Sequence, residues 1–117
     1  MNIDRIIRKK NLVIPLLGAP GVALSKTTLE ENLTDSEVQH KTLSMLIDKF
    51  NPDGIFPMMD LGVEVEALGL KLKFPENADP LVIEHPIKSR EDLEIFKDNW
   101  HGITGRMKVF IEVMERI

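Results

Sequence analysis

The sequence predicts an α/β fold in which parallel strands alternate with helices and a small β-hairpin follows. Three observations carry this. Two unbroken apolar runs, Leu12–Leu17 and Ile55–Met59, each end at a loop or a helix start, as strands buried on both faces do. Between them lies an amphipathic helix pattern, with Leu43, Leu46, Ile47 and Phe50 at i, i+3, i+4 and i+7. After the second run Leu70, Leu72 and Phe74 alternate with Lys71 and Lys73, the pattern of a half-buried strand. Strands that alternate with helices imply right-handed crossovers and parallel pairing.

Taken in order, Ile3, Ile6 and Ile7 suggest a short helix entered from Asn2 or Asp4. Leu12–Leu17 is the first core strand. Pro15 gives it an edge position or a bulge, and Pro57 raises the same constraint in the second strand. Gly18-Ala19-Pro20-Gly21 breaks the first run into a tight loop. It lacks the Gly-Lys-Ser/Thr of a phosphate-binding loop and the glycine spacing of a dinucleotide fingerprint. It reads as a turn, or as a rim loop where the backbone approaches a ligand closely.

Thr27 and Thr28 are each followed three residues later by Glu30 and Glu31, a capping box for a short helix to Leu33. Thr34-x-x-Glu37 is a second box, opening the helix that carries Leu43 to Phe50. Asn51-Pro52-Asp53-Gly54 is a turn signal. Leu61, Val65 and Leu68 then follow at helical spacing, and Gly69 suits the left-handed position that ends a helix. Leu81–Ile83 is the hairpin partner of Leu70–Phe74. Ser89-x-x-Asp92 opens a short helix through Phe96, and Gly102–Gly105 is a joint. Thr104 caps a last helix with the apolar stripe Met107, Phe110, Val113, Met114 and Ile117.

Asp60 is the first candidate functional residue. It stands where the second apolar run stops, so the register places a carboxylate at the C-terminal end of a buried parallel strand. In α/β architectures that end carries the chemistry. Asp also suits the N-cap of the following helix, and on residue type the cap is the simpler reading. The two roles are compatible, because an N-cap faces the same rim. Glu64 and Glu66 point to different helix faces, so one can reach the rim while the other is solvated.

Other chemistry is weaker. Glu37-x-x-His40 has the spacing of a helical carboxylate–imidazole metal pair but occurs once, and a solvated helix face explains it. His85 in Glu84-His85-Pro86 and His101 beside Trp100 read as surface histidines. No serine–histidine–aspartate or cysteine–histidine arrangement is present. The 117 residues suffice for one modest domain, and 43% hydrophobic with 29% charged residues describes a soluble globular chain rather than a disordered one. A net charge of −4 without a basic stripe argues against nucleic acid as a partner. The absence of cysteine excludes disulfides and thiolate metal sites, and fits a cytoplasmic protein. Arg5, Arg8, Lys9 and Lys10 before an apolar stretch have the look of a signal peptide. Pro15, Gly18, Pro20 and Gly21 interrupt that stretch, no Ala-x-Ala follows, and it is too short and broken to span a bilayer.

At Pro52-Asp53-Gly54-Ile55-Phe56-Pro57-Met58-Met59-Asp60, continuing Val63-Glu64-Val65-Glu66-Ala67-Leu68-Gly69, the sequence resembles the uroporphyrinogen decarboxylase superfamily. It is most similar to the methylcobamide methyltransferase-like branch, as are Phe74-Pro75-Glu76, Pro80-Leu81-Val82, His85-Pro86-Ile87 and the Gly18–Gly21 loop. The family fold is a (β/α)8 TIM-type barrel, which typically needs ~250 residues. The resemblance therefore implies the N-terminal portion of a barrel: two strands with their helices, plus the family's hairpin.

The resemblance implies site residues too. The decarboxylases of the family use an aspartate at the position of Asp60 to hold the pyrrole nitrogens of the substrate. Their substrate-binding arginines follow the first strand, and Leu16–Leu24 contains none. The methyltransferases bind zinc through one histidine and two cysteines farther along the barrel, so zinc and methylcobamide belong to a complete family member. Asp60 is thus the expected catalytic residue, and Gly18, Ala19, Pro20, Gly21 and Glu64 the expected substrate-facing ones. A corrinoid or tetrapyrrole is the expected ligand of the complete enzyme. The alternatives are a tetrapyrrole decarboxylase and a non-catalytic module that folds by self-association. The open strand edges and the unpartnered last helix predict a homo-oligomer.

Overall fold

The computed structural model describes residues 11–76, 78–98 and 101–117. The expected helix at Ile3–Ile7 and the basic residues before Leu12 lie outside the described residues, as does Trp100. Six helices and one two-stranded sheet are described. They are α1 (Gly18–Ser25), α2 (Leu29–Thr34), α3 (Ser36–Phe50), α4 (Val63–Ala67), β1 (Leu72–Lys73), β2 (Leu81–Val82), α5 (Arg90–Lys97) and α6 (Met107–Arg116). The chain is mainly helical with a small antiparallel sheet, consistent with a piece of an α/β domain.

Helix α3 is the axis of the packing. Its buried face carries Gln39, Thr42, Leu43 and Leu46. Helix α1 lies against it so closely that a Cβ on Gly21 would come within 2.6 Å of Leu46 Cδ1 and 2.9 Å of Thr42 Cγ2. On another side Val113 of α6 is fully buried in a cluster with Leu43 and Leu46. The stripe on α6 is therefore partnered within the chain, contrary to expectation, although Met114 and Ile117 at its end stay half exposed. A second cluster joins Leu29 and Leu33 of α2 to Met58.

Several capping signals act as the sequence reads. Thr28 and Glu31 close a full capping box on α2, and Ser89 and Asp92 do so on α5. Helix α3 ends at Asn51, whose left-handed backbone donates its N–H to Ile47 O. Helix α4 ends in a Schellman arrangement: the Gly69 N–H bonds Glu66 O, the Leu70 N–H bonds Val65 O, and Gly69 has φ 94°. The hairpin pairs Leu72 with Val82 and Lys73 with Leu81.

Other expectations are corrected. Gly18–Gly21 is not a loop but the first turn of α1; Pro20 is tolerated there because first-turn N–H groups have no intrahelical acceptor. The N-cap of α3 is Asp35, which accepts from Glu37 and Val38 N–H, while Thr34 ends α2 and donates to Glu30 O. Helix α4 starts at Val63, and Leu61 is 85% exposed in the preceding turn. Arg106, not Thr104, stands at the N-cap position of α6, without a side-chain cap bond. Phe50, expected on the buried face of α3, is 55% exposed under the Lys49 ammonium.

The two apolar runs are also not strands. They do lie side by side in parallel: the Asp53 N–H bonds Val13 O, Gly54 abuts Ile14, and Gly18 abuts Met58. All three neighbours keep one separation of 40 residues, which only parallel segments can do. A single backbone hydrogen bond joins them among the described residues, and no ladder forms. Pro15 and Pro57 lack the N–H groups a ladder would use. Only one face is buried. Met58 is 2% exposed, but Val13 is 63%, Leu16 63% and Met59 61%. The order strand, helix, strand, helix is thus replaced by four helices, a hairpin and two helices.

Candidate functional site

Asp60 ends the Ile55–Met59 segment, with its side chain fully buried. It is not the N-cap of α4, which falls on Gly62. Its Oδ1 instead accepts the Gly62 N–H at 2.7 Å, a local turn that turns Leu61 outward. Its Oδ2 accepts from Nη1 of Arg106.

Arg106 is the centre of the site. Its Nε donates to Glu66 Oε2 at 2.7 Å, and Nη1 also faces the Leu33 carbonyl at 3.5 Å. The guanidinium carbon lies 4.9 Å from the centroid of the Phe74 ring, a cation–π contact. One buried cation thus binds two carboxylates and gathers α2, the Asp60 turn, α4 and the hairpin base around the start of α6. The other support comes from Gln39, fully buried on α3, whose Oε1 accepts the Met58 N–H at 3.2 Å while its Nε2 donates to Asn32 O at 2.7 Å.

Alternation along the segment separates two cavities. Met58 and Asp60 turn to a groove of about 370 Å3 lined also by Val63, Glu64, Ile103, Met107 and Phe110. Pro57 and Met59 turn to a smaller hollow of about 120 Å3 with Leu16, Gly18, Ala19, Pro20 and Asp79. The structure therefore brings Asp60 and Glu64 into one groove. It sets Gly18, Ala19 and Pro20 on the opposite face of the same segment, and Gly21 against α3.

The groove offers apolar walls and the exposed carboxylate of Glu64, while the Asp60 carboxylate is turned inward to Arg106 and the Gly62 N–H. No histidine lines it. The donor set does not suit zinc: the chain has no cysteine, and among the described residues no three His, Asp or Glu side chains converge. Glu37 of the Glu37-x-x-His40 pair is engaged by Arg116. Among the described residues no helix is long and apolar enough to cross a membrane.

The family model of uroporphyrinogen decarboxylase (URO-D) matches residues 21–117. The chain belongs to the uroporphyrinogen decarboxylase family. Comparisons with curated proteins and with solved structures gave no match. The family match includes every residue of the Asp60–Arg106 centre and its groove, and starts just after Gly18, Ala19 and Pro20.

Arg106 and Gln39 were not legible as site residues. Gln39 carried a signal, since it extends the stripe Thr42, Leu43, Leu46 back by one helical step onto the buried face. Arg106 carried none, because a partner 46 residues away leaves no local periodicity.

Proposed function

We propose that this chain is the N-terminal portion of a methylcobamide methyltransferase-like barrel of the uroporphyrinogen decarboxylase family. The observation that carries the reading is the parallel pair of segments, Val13–Gly18 and Asp53–Met58, joined at a constant offset within a chain of that family. In this reading they are the first two barrel strands. Their exposed side chains Val13, Leu16 and Met59 face the rest of the barrel, and Asp60 and Glu64 contact a corrinoid or tetrapyrrole ligand. Gly18, Ala19 and Pro20 border the ligand from the first segment. Methyl transfer is favoured over porphyrinogen decarboxylation because Leu16–Leu24 supplies no arginine for substrate carboxylates. Methylcobamide is the cofactor of the complete protein, and its zinc ligands lie outside this chain. The protein is cytoplasmic and has neither a nucleic-acid nor a membrane partner.

The downstream coding sequence tests the reading. It should continue the barrel with one histidine and two cysteines as zinc ligands. A continuation that lacks them, or that supplies carboxylate-binding arginines instead, would favour a decarboxylase. The purified 117-residue chain should neither demethylate methylcobalamin nor decarboxylate uroporphyrinogen; turnover of either would overturn the account.

A further inference from the structure

We propose that Glu64 is a specificity-determining residue of the groove: its carboxylate accepts hydrogen bonds from the side-chain amides of a corrinoid and turns away tetrapyrroles that carry carboxylates. The proposal rests on the reading of the groove as a corrinoid site.

The walls of the groove are apolar. Met58 and Val63 face it from one side, and Ile103, Met107, Phe110 and Ile111 from the other. Its volume of about 370 Å3 is at the low end for a ligand site and suits one edge of a macrocycle rather than the whole ring. Such walls take the methyl and methylene groups of a ring but set no preference between two macrocycles. That preference falls to the polar groups at the site.

Glu64 is the carboxylate in position to set it. Asp60 is turned inward to Arg106 and the Gly62 N–H, and Glu66 is held by Arg106. Glu64 is exposed and takes part in none of the ion pairs among the described residues. Among those residues no Lys, Arg or His lines the groove, and Lys108 of α6 is exposed outside the lining. Behind the wall two carboxylates, Asp60 and Glu66, share the single guanidinium of Arg106, so the buried cluster adds negative rather than positive charge. A ligand carboxylate brought here is desolvated beside like charge with no cation to pair with, which lowers affinity. A primary amide meets no such penalty, and its N–H groups donate to the free Glu64 oxygens. One side chain thus accepts the right ligand and rejects the wrong one.

Two ligands with the same ring separate the effects: dicyanocobinamide, whose peripheral groups are amides, and dicyanocobyrinic acid, in which they are carboxylates. Each is titrated into the 15N-labelled 117-residue chain at low ionic strength, with the backbone amides of α4 and α6 as the readout. Cobinamide should bind at least about tenfold more tightly, and added salt should shrink the preference, as it does for an exposed charge. In Glu64→Gln the preference should fall severalfold, chiefly because cobyrinic acid binds more tightly than it does to the unaltered chain. A gain of affinity cannot come from a damaged fold, so it separates selection by Glu64 from a merely structural role. Equal affinities in the unaltered chain, a preference that survives in Glu64→Gln, or a fall produced only by loss of cobinamide binding would overturn the proposal. If neither ligand moves the groove amides, the corrinoid reading falls and the proposal with it. If both bind there without discrimination, the proposal alone falls.

Discussion

Arg106 and Asp60, 46 residues apart in the chain, form a buried ion pair that fastens the start of α6 to the end of the Ile55–Met59 segment. Their separation makes the pair a tertiary staple rather than a local turn. It also changes what Asp60 does for stability. A helix N-cap replaced by alanine costs about 0.5–2 kcal/mol, whereas breaking one side of a buried pair costs about 3–5 kcal/mol. Asp60→Ala should therefore lower unfolding free energy by about 3 kcal/mol or more in urea titrations. A loss within the cap range would mean that the pair is not formed in solution.

Gly21 makes a second prediction. With Leu46 Cδ1 and Thr42 Cγ2 in the space a Cβ would occupy, Gly21→Ala forces these buried side chains, or α1 itself, to shift. Overpacking of this kind costs about 1–3 kcal/mol. Thermal melts should show the loss, and an unchanged midpoint would contradict the close contact. Gly21 is thereby a packing glycine in this structure.

Asp92 provides a pH dependence. The Lys88 N–H first, then the Ser89 hydroxyl, hold its carboxyl below the ordinary carboxylate value, with a lesser contribution from the Ser89 N–H and against an opposing effect of desolvation. A depressed value means that the contribution to α5 is present above the ordinary carboxylate range and is lost as the pH falls through the lowered one. Ser89→Ala should move the Asp92 carboxyl carbon titration upward and fray α5 at a less acidic pH. An unmoved titration would show that the box is not populated.

What the sequence made legible was local. Thr28 with Glu31 and Ser89 with Asp92 open helices as read, Gly69 ends one as read, and Asn51, read as the start of a turn, ends α3; all act through partners within a few residues. The hairpin was legible because alternation is a local signal too. The apolar runs misled because Ile55–Met59 reads as buried on both faces, while its alternate residues split between Met58, buried, and Met59, exposed. The place of Asp60 at the end of the run was legible, but which of Glu64 and Glu66 joins it at the groove was left open by the sequence, and the structure puts Glu64 there. The cation that pairs with Asp60 and Glu66 was not legible, since nothing near Gly105–Met107 marks the arginine as buried.

The exposed residues Val13, Leu16, Phe56 and Met59 predict association. Most lie on the two parallel segments, whose backbone groups are largely unpaired among the described residues, and such an edge is a template for another chain. The 117-residue chain should form a homo-oligomer, most simply a two-fold dimer burying roughly 2,000 Å2 or more in total. Sedimentation equilibrium at micromolar concentration checks this. A cooperatively melting monomer would show that the chain closes its own core.

The central claim is that the groove between the Asp60 turn and α6 takes the corrinoid ligand of the family reading. The most direct measurement is a titration of the 15N-labelled chain with methylcobalamin, followed by backbone amide shifts. The account predicts perturbations concentrated on Met58–Glu64 and Met107–Ile111, weakened in Glu64→Gln with the amides of α3 unchanged. Perturbations confined to the hairpin or to α5, or a groove that stays silent at millimolar ligand, would contradict it.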